Sequence, residues 1–204
     1  MTDMEALLTL DSRLFLAING WHSPFFDQLM WWVSGKTSWW PFYLAILIFI
    51  ASKRAWQLVP LIVAIAALIV LADQSSVHLF KEVFQRFRPC HEPALQGMVH
   101  IVNNKCGGSW GFISSHAANS GGVAMLLLLF MRTRWFSFVM VFWALLIAYS
   151  RVYLGVHYPG DVLAGLLWGA ACGYLVFLLL GLALKRLPGH WWIVKGRAHV
   201  VHSE

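Results

Sequence analysis

The chain has 204 residues, of which 59% are hydrophobic and only 12% charged, and its formal net charge is +6 at pH 7. A soluble domain of this size needs far more charge to cover its surface, and the apolar residues lie in long runs, so a water-soluble globular protein is excluded. No soluble basic face exists to present the positive charge, which argues against nucleic acid and for anionic lipids or a phosphorylated ligand.

In chain order, Met1 to Leu16 carries Asp3, Glu5 and Asp11 and lacks a basic leader, so no cleavable signal peptide is expected. Leu7 to Ile18 includes Asp11 and Arg13 and is too short and too polar to span a bilayer. It reads as an interfacial helix, continued by Phe25 to Val33 after a Gly20–Pro24 turn. A first span is expected over Trp39 to Ala51, closed by Lys53 and Arg54. It is short for ~30 Å of hydrocarbon unless residues from Ser34 onward lengthen it. Further spans follow over Trp56–Phe80, His116–Met131, Trp135–Tyr149 and Gly160–Leu184. Trp pairs at 31–32, 39–40 and 191–192 flank apolar segments, as indole rings do at the headgroup zone.

The expected fold is therefore all-α: an integral membrane helical bundle of about five transmembrane helices, forming one domain. Residues 1–36 make an interfacial N-terminal segment, 37–184 the bundle, and 185–204 a tail anchored at Trp191 and Trp192. Lys53, Arg54, Arg132, Arg134, Lys185, Arg186, Lys195 and Arg197 fall on one side of this arrangement, which the positive-inside rule makes cytoplasmic, C-terminus included. The opposite side nevertheless carries Lys81, Arg86, Arg88, Lys105 and Arg151. Basic residues placed against that preference need a reason, and binding an anion supplies one.

Three segments bring polar side chains to that side. In the first, Lys81 and Arg88 are seven residues apart and would share a helix face to within ~20°. Pro89 would then end the helix and push Arg88 toward an extended conformation; a plain juxtamembrane basic cluster is the alternative. In the second, Ser114 and Ser115 precede His116 at a helix start, where serines cap and free N–H groups attract anions. In the third, Ser150 and Arg151 precede His157, and Pro159 opens a helix with Asp161 in its first turn. A carboxylate holding one imidazole nitrogen leaves the other free as base or nucleophile.

These segments resemble the signature of the type 2 phosphatidic acid phosphatase superfamily, whose soluble relatives include vanadium haloperoxidases. Lys81, Arg88 and Pro89 match its first part, and Ser150, Arg151, His157 and Asp161 its third. Ser114 and His116 match the second, with Ile113 and Ser115 in place of the family's Pro and Gly. The resemblance implies a membrane lipid phosphatase needing neither metal nor cofactor. In it Lys81, Arg88 and Arg151 grip the phosphate oxygens, and Ser114, Ser115 and nearby amides complete the cradle. His157 attacks phosphorus to give a phosphohistidine, with Asp161 orienting its ring, and His116 protonates the leaving oxygen and later activates water. No cluster of Asp, Glu and His has the spacing of a two-metal site.

The substrate expected is a lipid phosphate or diphosphate in a bacterial cytoplasmic membrane, met on the periplasmic or outer face. Undecaprenyl diphosphate is the first choice; lipid A, phosphatidylglycerol phosphate and lipid-to-lipid phosphotransfer are the alternatives. A lipid transporter is the non-enzyme rival, but it predicts broken helices in paired halves, which are not seen. Cys90 and Cys106 share the outer loop, where they either pair as a disulfide or remain free thiols; Cys172 lies within the last span and is read as packing. Asp73, an acid inside the second span, is expected to pair within the bundle, with a path for a lipid headgroup as the alternative. No role in metal binding or catalysis is expected of His190, His199 and His202, and nothing in the sequence fixes the oligomeric state.

Overall fold

A computed structural model describes residues 3–186, and these form an all-helical bundle without named strands. Helices α1 (Asp3–Asn19) and α2 (Pro24–Ser34) meet at Ser23, whose hydroxyl caps α2 at the Phe26 N–H, while Pro24 opens the helix. Then come α3 (Trp40–Arg54), α4 (Leu58–Ser75), a π turn (Ser76–Lys81) and the short α5 (Glu82–Phe84). A long loop leads to α6 (Ser115–Met131), α7 (Arg134–Tyr153) and α8 (Pro159–Arg186). Residues 187–204, with the tail histidines, tryptophans and basic pair, lie outside the described residues.

Three helical runs among the described residues are long and apolar enough to cross a membrane: Trp40–Phe84, Arg134–Tyr153 and Pro159–Arg186. Helix α6 is apolar but has 17 residues. The segment from Ser34 does not lengthen α3 as expected. Helix α2 ends at Ser34, Gly35 is extended, and α3 begins only at Trp40. With 15 residues α3 is therefore about 22 Å long. Val63, Val70, Phe138, Phe142 and Leu167 are exposed large apolar side chains on the long helices, a surface suited to hydrocarbon.

The centre of the bundle is the α6–α8 pair, and small residues make it. Gly165, Gly169 and Gly173 recur every fourth residue on α8 and lie against the backbone of α6 at Ser114, Ala118 and Gly122. A Cβ at Gly169 would collide with the Ala118 carbonyl, so the helices approach backbone to backbone. Around them Leu68, Leu126, Leu127, Met140, Trp143 and Val176 build the main apolar core. At one end of the bundle Arg54 lies over the Phe130 ring at 5.2 Å, bringing together the basic ends of α3 and α6. The polar segments of the three motifs gather at the other end.

Helix α1 is tied to that second end. Phe15 is fully buried edge-on to Tyr158 (5.5 Å), and Asn19 donates to the carbonyls of His100 and Tyr153 at 2.9 and 2.8 Å. Asp27 of α2 accepts from the Tyr153 hydroxyl at 2.8 Å and pairs with His100 at 3.0 Å, and the His100 ring stacks on His22 at 3.7 Å. Met4, Leu7, Leu8 and Leu14 of α1 remain exposed, the apolar face an interfacial helix needs.

Candidate active site

The first motif converges differently from its expected helical spacing. The helix ends at Phe84, because Gln85 takes left-handed backbone (φ 44°). Arg86 to Arg88 then run extended, with Phe87 bridged to Trp110 and Arg88 at ψ 153° before Pro89. Lys81 and Arg88 therefore do not share one helix face. Two other devices bring them together.

The first device is the π turn. Ile62, Ile65, Ile69 and Asp73 mark the cavity face of α4. At ~100° per residue Phe80, seven beyond Asp73, would return to that face within about 20°, while Lys81 would sit about 80° away. The π turn takes up one extra residue, and Lys81 reaches the cavity while Phe80 packs on Trp168 (5.0 Å) and Phe112. The second device is the outer loop. The Arg88 guanidinium donates to the carbonyls of Cys106 (2.8 Å) and Trp110 (3.3 Å), and the Arg88 backbone N–H donates to the Ser109 carbonyl. Cys90 and Cys106 are joined as a disulfide, which closes that loop.

The second motif forms as read, with its two serines assigned different work. Ser114 is the N-cap of α6, fully buried, its hydroxyl accepting from Ala117 N–H. It does not line the cavity. Ser115 does: its hydroxyl accepts from Lys81 Nζ at 2.7 Å and lies 2.6 Å from the Ser76 hydroxyl of the π turn. The residue that departs from the family pattern thus holds one of the cations. His116 lines the cavity one position on.

The third motif also keeps its local order. Pro159 opens α8, His157 lies just outside it, and Asp161 is in its first turn. His157 is 1% exposed and Asp161 fully buried. Nδ1 of His157 is 3.4 Å from Asp161 Oδ2, too far and too poorly aligned for a direct hydrogen bond. The carboxylate is committed elsewhere: Oδ2 accepts from Tyr158 N–H at 3.0 Å and Oδ1 from Arg86 at 2.9 Å. Arg86 also reaches Asp11 of α1 at 2.8 Å and lies 4.0 Å above the Tyr158 ring, while Asp11 accepts from Gly160 N–H at 2.7 Å. An Asp11–Arg86–Asp161 bridge therefore fixes the start of α8. Arg86 was visible in the sequence as a basic residue on the wrong side; its two partners, 75 positions away in either direction, were not.

Lys81, Arg88, Ser115, His116, Arg151 and His157 all line one cavity of about 660 Å³. The Arg151 guanidinium donates to the Ser34 hydroxyl, while its Nε is buried without a partner. Burial, together with Arg151, Arg88 and Lys81, pushes the His157 imidazole well below its usual 6.5, so the ring is neutral. Burial also lowers Arg88, opposed by the Asp161 carboxylate, and a guanidinium so lowered keeps its charge. Burial raises the Tyr158 hydroxyl to about 12. Away from the cations the cavity is walled by Trp39, Ile46, Ile65, Leu127 and Trp143.

Such a site can hold a tetrahedral anion among cations, with a neutral imidazole facing it and hydrocarbon beyond: it is built for phosphoryl chemistry on a lipid. The chain belongs to the PAP2 superfamily, whose family model matches residues 57–184, and is a membrane phosphatase acting on lipid phosphates. It is 40% identical over 186 residues to a lipid A 4'-phosphatase of Bacteroides thetaiotaomicron, a match covering 90% of this chain and 83% of that protein. A lipid A 4'-phosphatase of Porphyromonas gingivalis is 32% identical over 187 residues, covering 91% and 79%. Among solved structures, Aquifex aeolicus LpxE superimposes with a TM-score of 0.61 at 26% identity, covering 83% of this chain and 95% of that one.

Proposed function

We propose that this phosphatase removes a phosphate group from the sugar headgroup of lipid A, the 4'-phosphate in particular. The reading moves away from undecaprenyl diphosphate because two relatives matched over nine-tenths of the chain both carry the lipid A 4'-phosphatase name. The observation that carries the chemistry is the shared cavity, in which side chains from three separate segments meet at the end of an apolar groove.

In this mechanism Lys81, Arg88 and Arg151 take the phosphate oxygens and offset the charge that spreads over them in flight. Ser115 holds Lys81 in place, and the free N–H groups at the start of α6, which the Ser114 cap organises, add donors. A nitrogen of neutral His157 attacks phosphorus in line, the sugar oxygen departs, and His116 gives it a proton. His116 then takes a proton from water as its oxygen attacks the phosphohistidine, releasing phosphate and restoring His157. Asp161 acts through the Arg86 bridge and the Tyr158 N–H more than through a direct bond to the ring. The site faces the periplasm of a bacterial inner membrane, with the basic helix ends and the C-terminus in the cytoplasm.

The test is phosphate release from purified enzyme in detergent, with EDTA present, across lipid A, phosphatidylglycerol phosphate, phosphatidate and undecaprenyl diphosphate. Lipid A should be preferred, losing one phosphate located by mass spectrometry at the 4' position. The His157→Ala variant should lose at least about a thousandfold in rate. Preference for another lipid overturns the substrate, and activity that disappears in EDTA and returns with a divalent ion overturns the mechanism.

A further inference from the structure

Two polar cavity residues, Asn119 and Asp73, have no part in that mechanism, and each turns an acceptor oxygen to the cavity that phosphate does not satisfy. Asn119 lies three residues beyond His116 on α6, and its Oδ1 is buried with no hydrogen-bond partner. Asp73 lies in the apolar run of α4 and lines the same cavity. Its carboxylate enters no ion pair among the described residues, since Ser76 bonds its backbone carbonyl and not its side chain. Within the bundle the carboxylate acts on Lys81, an opposite charge it attracts without a direct bond. Both oxygens accept hydrogen bonds, and a phosphate offers none to them. A carboxylate near it would repel it.

Their positions follow one pattern on two helices. Along α4 and the π turn after it the cavity face runs Ile65, Ile69, Asp73, Lys81; along α6, in the reverse chain direction, it runs Leu127, Val123, Asn119, His116. Each helix passes from apolar residues through an acceptor to the phosphate end. The acceptors therefore occupy the level where the substrate's headgroup atoms, between phosphate and hydrocarbon, must lie.

We propose that Asp73 and Asn119 form a headgroup-reading step that accepts hydrogen bonds from the hydroxyl and amide N–H groups of an acylated amino sugar. The inference rests on the lipid A reading and deepens it. A prenyl diphosphate or a phosphatidate carries no donor between its phosphate and its hydrocarbon and leaves both acceptors unpaired. An amide-acylated sugar phosphate satisfies them, and the buried Asn119 Oδ1, left unpaired, discriminates against analogues that lack the donor.

The test compares kcat/KM for a lipid A-type sugar phosphate with that for a prenyl diphosphate and for phosphatidate, in wild type, Asn119→Leu and Asp73→Leu. The ratio favouring the sugar lipid should fall about tenfold or more in each variant. Asp73→Asn, which keeps a carbonyl acceptor, should retain most of the preference. Should the leucine variants not fold, an ester-for-amide analogue of the sugar lipid given to wild type should lose a similar factor. Equal losses on every lipid, or full turnover of the ester analogue, overturn the inference while leaving the enzyme's function intact. Absence of wild-type turnover of the sugar lipid sinks the lipid A reading, and this inference with it.

Discussion

Helices α3 and α8 pass through the same bundle and are packed by opposite rules. Helix α8 buries a residue at nearly every turn, with glycines pressed on the backbone of α6, whereas α3 buries only Ile50 and turns Trp40, Leu44 and Ile48 outward. The α6–α8 side carries His116, His157 and Asp161; α3 and its N-cap supply Trp39, Tyr43, Ile46 and Leu47 to the apolar wall. Groups that must hold position are mounted where backbones touch. The wall that meets flexible hydrocarbon is left to loosely packed side chains, which a chain of variable shape can displace.

The sharpest way to break this contrast is Gly169→Leu. No side chain fits between α8 and the Ala118 carbonyl, so the helices must part, and the variant should neither accumulate as folded protein nor release phosphate. Next in size is Arg86→Gln, which leaves Asp161 buried without its cation. It should cost about 3–5 kcal/mol in detergent unfolding and depress kcat, with Asp11→Asn milder because Arg86 then keeps one carboxylate. Cys106→Ser opens a loop whose cysteines are 16 residues apart and whose carbonyls hold Arg88. It should cost about 2–3 kcal/mol and raise KM for every lipid.

Acidity tests the buried side through His157. The folded ring stays neutral while the unfolded one takes up a proton near 6.5, so below that pH the unfolded state binds more protons and stability falls. The slope is at most about 1.4 kcal/mol per pH unit, and His157→Gln should flatten it in melting curves between about pH 6.5 and 5. At the small end, Ile46→Ala in the α3 wall should cost less than about 1 kcal/mol, the residue being only partly buried, and show itself as a few-fold rise in KM for long-chain lipids. A stability loss matching that of Arg86→Gln would mean that α3 is no looser than its counterpart.

What was legible in the sequence is what depends on neighbours along the chain. Ser114 before α6, Pro159 at the head of α8 and the extended Arg88 before Pro89 all follow from local backbone chemistry, and each forms as read. The helices themselves follow from runs of apolar residues. Hidden from it were matters of geometry between distant segments. Asp11, Arg86 and Asp161 meet across gaps of 75 residues, and nothing at any one position marks the other two. Two adjacent serines gave no sign of which would cap and which would face the cavity. The role of Asp73 depended on which face of α4 looks inward, which a helix apolar all round does not declare.

The π turn ahead of Lys81 has a consequence in the language of insertions. A helix that carries one residue too many must either rotate everything after it or absorb the surplus locally, and Ser76–Lys81 absorbs it. Removing one residue from this stretch, Leu79 for example, would place the lysine seven positions beyond Asp73, where an unbroken α-helix keeps it facing inward. The segment thus has two spellings that deliver the same cation. Relatives that differ by one residue there would appear misaligned on paper while presenting the same charge to the same phosphate.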